Sequence, residues 1–244
     1  MKPVFRTVAS AALAASLLLA AWPAAAQWTG KGEAGLAIAT GNTETKTANA
    51  RVAVGRKVEL WELTGTLAGL YVRNDGETTA RRWEVTGQGK YNFSPRTFSF
   101  AAGRYERDLF SGFRYQSVVN GGLGHRFLDS NSTKLSAQIG VGYKFFERLD
   151  VPTDPDMDED NRLVGVAGLE FTHQISDTTS LYNRFGAEVN AGSNFLQNEI
   201  GVTVKVLNRI ALSLAYGVRH NTDPPLGFRK TDTLSTVNLV YEVK

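Results

Sequence analysis

The chain has 244 residues, 27 Lys and Arg against 24 Asp and Glu for a formal net charge of +3, and no cysteine. Without cysteine there is no disulfide framework, no thiolate metal site and no cysteine nucleophile. Beyond the N-terminal segment there is no run of about 18 apolar residues, which excludes a helical membrane protein.

The first element is a leader. Lys2 and Arg6 form a positive start, Val8 to Trp22 is apolar, and Ala24-Ala25-Ala26 is a small-residue cleavage site. The expectation is a signal peptide over 1–26 and a mature chain from Gln27, because the apolar stretch is short for an anchor. Removing Lys2 and Arg6 leaves 25 basic residues against 24 acidic, so the mature chain is near neutral and nucleic acid is not an expected partner.

Residues 27–244 read as one domain of twelve strands. The predicted spans are 28–39, 47–58, 62–73, 81–93, 97–108, 113–127, 133–147, 161–174, 179–191, 197–207, 210–221 and 231–243. The composition suits strands, with 24 Gly, 13 Phe and 8 Tyr against 7 Pro. The clearest strand is the seventh. Leu135, Ala137, Ile139, Val141, Tyr143 and Phe145 alternate with Ser136, Gln138, Gly140, Gly142 and Lys144. Alternate side chains lie on opposite faces, so this strand has one apolar and one polar side. Such a strand is long enough to cross a bilayer, which takes roughly 9–11 tilted residues.

The connections alternate too. Those holding Gly41–Thr45, Asn74–Thr79, Leu109–Gly112, Leu149–Asp160, Gly192–Asn194 and Thr222–Lys230 are mostly longer and more acidic. Those at Glu59–Trp61, Ser94–Arg96, Leu128–Ser132, Ser176–Asp177 and Asn208–Arg209 are mostly short. This parity is that of a transmembrane barrel with both termini in the periplasm. The fold expected is therefore all-β, a single antiparallel up-and-down transmembrane β-barrel of about 12 strands.

Strand parity divides the side chains. Lys31, Glu33, Arg51, Arg82, Glu84, Lys90, Arg114, Arg126, Lys144, Arg162, Glu170, Arg184, Glu188, Glu199, Lys205 and Arg219 share the polar, lumen-facing side. The opposite face carries residues such as Trp83, Val85, Ile139, Val141, Leu212, Leu214 and Leu239. Aromatic belts are expected, with Trp28, Trp61, Tyr91, Phe93, Phe98, Phe127, Phe171 and Tyr241 at the periplasmic rim. Phe110, Phe113, Tyr115, Phe145 and Phe195 are expected at the outer rim. The fifth strand fits worst. Arg104 and Tyr105 break the parity set by Phe98 and Phe100, and Gly103 is the expected site of a bulge that restores it. A lipocalin-like soluble barrel would place the apolar face inside, but large ionisable groups on the polar face and long strands speak for a wet lumen.

Candidate chemistry is sparse. His125, His173 and His220 share the apolar parity and fall at different ends, so they form no triad. Asp154-x-Asp156-x-Asp158 has the opening spacing of a calcium loop, but lacks its sixth-position glycine and has Gly165 at the twelfth position in place of Glu. No catalytic residue, metal site or cofactor is predicted. Ten basic lumen residues, with Lys205 an eleventh, outnumber five acidic ones, which favours anions in a water-filled pore. The same residues can also pair across a narrow lumen and close it. The acidic stretch 150–160 is a candidate constriction.

The segment Trp28-x-Gly30, Gly35 and Thr40-Gly41-Asn42-Thr43 resembles the start of the salt-induced outer membrane protein family, domain of unknown function 481. Arg104-Tyr105 with Asp108 and Phe110, Gly121-Gly122-Leu123-Gly124 and Gly140-Val141-Gly142-Tyr143 fit the same family. The resemblance implies a barrel in the outer membrane of a Gram-negative bacterium and carries no catalytic residues. Where outer-membrane barrels end on an aromatic residue, this chain ends Tyr241-Glu242-Val243-Lys244. The expected function is a non-enzymatic barrel, either a narrow pore for small, mildly anionic solutes or an envelope structural or stress protein. The alternative is a periplasmic soluble barrel that binds an apolar ligand. Expected partners are outer-membrane lipid and lipopolysaccharide, and the barrel-assembly machinery during biogenesis.

Overall fold

The structure, a computed structural model, describes residues 28–39, 45–149, 160–225 and 227–243. The leader over 1–26 and the acidic stretch 150–159, with its calcium-like spacing, lie outside the described residues. Twelve antiparallel strands follow in order: β1 (Trp28–Ala39), β2 (Thr45–Val58), β3 (Trp61–Asn74), β4 (Glu77–Asn92), β5 (Thr97–Asp108) and β6 (Phe113–Asp129). They continue as β7 (Thr133–Arg148), β8 (Asp160–Gln174), β9 (Thr179–Val189), β10 (Asn194–Leu207), β11 (Ile210–Asn221) and β12 (Thr231–Val243). Each pairs with its sequence neighbours, and β12 returns to β1 to close the barrel. Closure gives every strand a hydrogen-bonded neighbour on both sides, as a sheet in hydrocarbon requires.

The predicted alternation becomes a physical division. Ile139 is 70% exposed and Leu163 71% exposed on the outer surface, with Leu123, Val141, Leu214, Val237 and Leu239 around the same belt. An apolar surface of this extent is a lipid contact. Trp61 packs on Tyr91 and Tyr91 on Phe93 at the periplasmic rim, while Trp83, Tyr105 and Tyr115 stack in succession toward the outer rim. The fold is a transmembrane barrel, and a soluble barrel with an apolar interior has the opposite arrangement.

The fifth strand differs from expectation. Gly87, Gly103 and Val119 pair in unbroken register across β4, β5 and β6, so no bulge falls at Gly103. Phe98, Phe100, Arg104 and Glu106 all point inward. The bulges lie near strand ends, between Val72 and Arg73, Phe113 and Tyr115, Arg126 and Leu128, and Lys205 and Leu207. Barrel rims are where such irregularities are tolerated. The β3–β4 connection is a two-residue turn in which Asp75 (φ 45°) and Gly76 (φ 87°) are both left-handed, the geometry of a tight hairpin.

The seam between β1 and β12 is the shortest. Only Gly30 to Ala34 of β1 pair with Leu239 to Val243 of β12. Just above, Asn49 donates to Asn238 Oδ1 at 2.7 Å, reaching from β2 to β12 over Gly35. A Cβ on Gly35 would collide with both amide oxygens. Gly35→Ala is therefore expected to break this bridge and lower stability by about 1–2 kcal/mol, read from the denaturant midpoint of vesicle-embedded barrel. An unchanged midpoint would show that the two amides can part at no cost.

Candidate functional site

The barrel interior is the only continuous polar surface that the strand pattern builds among the described residues, and it has three levels. At the periplasmic end Phe98 is 1% exposed. Its ring lies beside its cross-strand partner Gly124, where a Cβ would strike it. Lys90 and Arg126 sit over the ring at 5.0 and 4.9 Å from its centroid. Each cation has an acidic partner, Arg126 with Glu62 at 3.1 Å and Lys90 with Glu170 at 3.7 Å. Phe98 is thus a floor held between cations, not a member of the aromatic belt.

The middle level is lined by amides and a second ion cluster. Gln88 of β4 donates to Gln138 of β7 at 3.2 Å across the interior. Glu199 of β10 pairs with Arg184 of β9 at 2.8 Å and with Arg51 of β2 at 3.6 Å. Tyr182 lies over Gly201, its partner on β10, with its ring where a Cβ would be.

Toward the outer end a buried network spans the barrel. Arg104 donates to Glu106 at 2.9 Å and to Glu188 at 2.5 Å, and lies 3.9 Å from Glu84. Arg219 donates to Glu106 at 2.6 Å, and Lys144 to Glu188 at 3.1 Å. The Glu106 side chain is 1% exposed and those of Arg104 and Lys144 are each 9% exposed. Phe195 lies within this cage, with Arg104, Lys144 and Arg219 at 5.4, 5.5 and 5.0 Å from its ring centroid. Phe146 and Phe113 meet edge to face beside it. Buried ions require close partners, and here Glu106 and Glu188 each meet two cations while Glu84 meets Arg104.

Above the network the Thr222–Lys230 connection crosses the mouth. Pro225 and Phe228 rest on Gly112, in the β5–β6 turn of the opposite wall. Gly112 holds φ at 84°, and a Cβ there would meet Pro225. Arg148 reaches Asp223 at 3.5 Å, and Asn194 N–H donates to Thr222 Oγ1 at 2.8 Å. Between these obstructions lies a cavity of about 980 Å³ lined by residues of all twelve strands. It extends from Lys31 and Glu242 to Asp108, Phe110 and Asp232.

Most sequence-predicted lumen residues take their expected side. Arg51, Glu84, Lys90, Arg126, Lys144, Glu170, Arg184, Glu188, Glu199 and Arg219 make the contacts above. Arg82 and Lys31 line the cavity, and Arg162 lies over the Phe146 ring at 5.5 Å. Two do not belong to the wall. Arg114 sits in the Phe113–Tyr115 bulge at the outer rim, 47% exposed, and pairs with Glu147 at 2.5 Å. Lys205 keeps inward parity but is exposed at the periplasmic end beside the Lys205–Leu207 irregularity. Phe98, Phe113 and Phe195 lie inside, contrary to the belt expectation.

The sequence reading missed Glu62, Arg104, Glu106 and Asp108 as interior charges. One cation and three carboxylates shift the lumen from a basic surplus toward balance. The signal that finds them is charge itself: Arg104 and Glu106 share one parity, and a charged pair on a strand does not face hydrocarbon. The histidines lie outward, each bonded to the threonine directly opposite. Thr97 meets His125 at 3.3 Å, Thr133 meets His173 at 2.9 Å, and Thr231 meets His220 at 2.8 Å.

The family profile described as "Protein of unknown function, DUF481" matches residues 32–243. YdiY of Escherichia coli (strain K12), itself described as an uncharacterised protein, is 23% identical over 216 residues, which is 86% of this chain and 81% of that protein. Among solved structures, the translocator domain of autotransporter NalP from Neisseria meningitidis gives a TM-score of 0.49 at 14% identity, with 97% of each chain covered. The β domain of the Bordetella autotransporter BrkA gives 0.46 at 15% identity, covering 89% of this chain and 98% of that one. A KdgM porin gives 0.46 at 8% identity, covering 89% and 99%. Scores below 0.5 carry no weight for function. The profile match spans almost the whole barrel, and the chain belongs to the DUF481 family of proteins of unknown function.

Proposed function

We propose that this barrel resides in the outer membrane and acts, without catalysis, as a narrow pore for small polar solutes with little charge preference. The observation that supports this reading is the cavity of about 980 Å³, which is lined by charges and amides from several strands and extends toward both ends of the wall. Pairing of the wall cations with Glu62, Glu84, Glu106, Glu170, Glu188 and Glu199 leaves little net field to attract anions. The apolar belt and the short turns at one end favour the outer membrane, where barrels have this asymmetry. Assembly by the cell's barrel-insertion machinery belongs to the same reading.

A second reading, a closed envelope barrel, is favoured by the buried Arg104–Glu106–Glu188 network that crosses the interior. Planar-bilayer recording separates the two. Small unitary currents with a reversal potential near zero in a salt gradient are expected. Strong ion preference would sink the balanced wall, and complete silence would leave the closed barrel standing.

A further inference from the structure

The outward face of β2–β6 carries an arrangement that the lumen reading does not use. Lys46 on β2 and Arg73 on β3 are direct cross-strand partners. Arg81 on β4 is opposite Tyr71, and Arg107 on β5 is opposite Trp83. These registers make Arg73, Arg81 and Arg107 successive diagonal neighbours, a spacing of about 7–8 Å between backbones. All three arginines are exposed, and their odd parity puts them on the side of Leu67, Trp83 and Tyr105. Guanidinium groups beside a stacked aromatic row stand at headgroup level, where facing bare hydrocarbon would cost about 2–4 kcal/mol each toward the midplane.

Arg73 Nε donates to Gly76 O at 2.7 Å within its own hairpin, and Glu147 pairs with Arg114. Arg81 and Arg107 lie a step lower, level with Tyr71 and Trp83. The rest of the outer rim is different. Among the described residues, β8–β12 present Asn161, Leu163, Val189, Val218, His220 and Thr233 at comparable outward positions. The basic row is therefore confined to one side of the barrel.

We propose that Arg73, Arg81 and Arg107 form a seat for the phosphates of a phosphorylated glycolipid in the outer leaflet, with Tyr71, Trp83 and Tyr105 against its sugar and upper acyl region. Arginine forks match phosphate oxygens two at a time, and aromatic rings rest where acyl chains meet headgroups. The seat rests on the membrane reading above and deepens it by naming a lipid class and a side of the barrel.

The test uses the full chain refolded into phosphatidylcholine vesicles containing diphosphorylated lipid A, followed by detergent extraction and native mass spectrometry of the retained lipid. The variant is R73Q/R81Q/R107Q, and R107Q alone serves if the triple variant does not insert. Wild type should retain about tenfold more lipid A than the triple variant, with R107Q between them. Dephosphorylated lipid A should be retained weakly and equally by all three. Equal retention of lipid A by wild type and variants overturns the seat. So does displacement of lipid A by millimolar inorganic phosphate, which would make it a general anion patch. Heat-modifiable gel mobility reports insertion separately. Wild type that never acquires the compact form overturns the membrane reading itself, and the seat with it.

Discussion

Glu106→Ala is expected to lower the stability of the embedded barrel by about 3–5 kcal/mol, measured as a shift in guanidinium midpoint with vesicles present. The carboxylate is 1% exposed and accepts from both Arg104 and Arg219. Its removal leaves two guanidinium groups facing each other around Phe195 with only Glu188 and Glu84 to share. Mutual repulsion should drive them apart, widen the outer constriction and raise single-channel current. Glu106→Gln should have a smaller effect, since the amide oxygen still accepts one donor. A loss below about 1 kcal/mol for the alanine variant would mean that water already solvates the network, as at an exposed pair. The constriction would then be no barrier to ions.

Phe98→Ala carries the second largest effect, about 3 kcal/mol of destabilisation. That is the low end for a buried phenylalanine, because water can enter the space from the lumen. The ring is held between Lys90, Arg126 and Gly124, so its loss removes packing and two cation–π contacts together. It also removes the periplasmic floor. Unitary current should rise in this variant, and further when it is combined with Glu106→Ala, because the two obstructions lie in series. If Phe98→Ala unfolds at the wild-type midpoint, the ring is not a packed element and the floor does not exist.

The legible and the illegible parts of this barrel differ for a definite reason. β7 could be read because Leu135 to Phe145 alternate without a break and the lumen beside them is lined by small or polar groups. β5 misleads because Phe98 and Phe100 set a parity in which rings face lipid, and here they face the lumen. A narrow lumen also needs large side chains to fill it, and among the described residues five inward phenylalanines (Phe98, Phe100, Phe113, Phe146, Phe195) do so. Arg104 and Glu106 were the better reference, since charge on the lipid side is far costlier than a ring on the inner side. The bulge that turns Arg114 out has no glycine or proline to announce it. Ion pairs such as Arg51 with Glu199, from β2 and β10, follow only from closure of the barrel and not from local pattern.

The brevity of the β1–β12 seam has a consequence for how the molecule is made. Every other neighbouring pair holds ten or more residues in register, whereas this one holds five. In a sheet that zips from strand to strand, the last seam to form joins the two ends of the chain, and here it is also the weakest. Residues above Ala34 on β1 are left to side-chain bridging by Asn49 and Asn238. A lateral opening at this line would expose two strand edges that another β-strand could pair with transiently. The Asn49–Asn238 bond is then the clasp that holds this line shut.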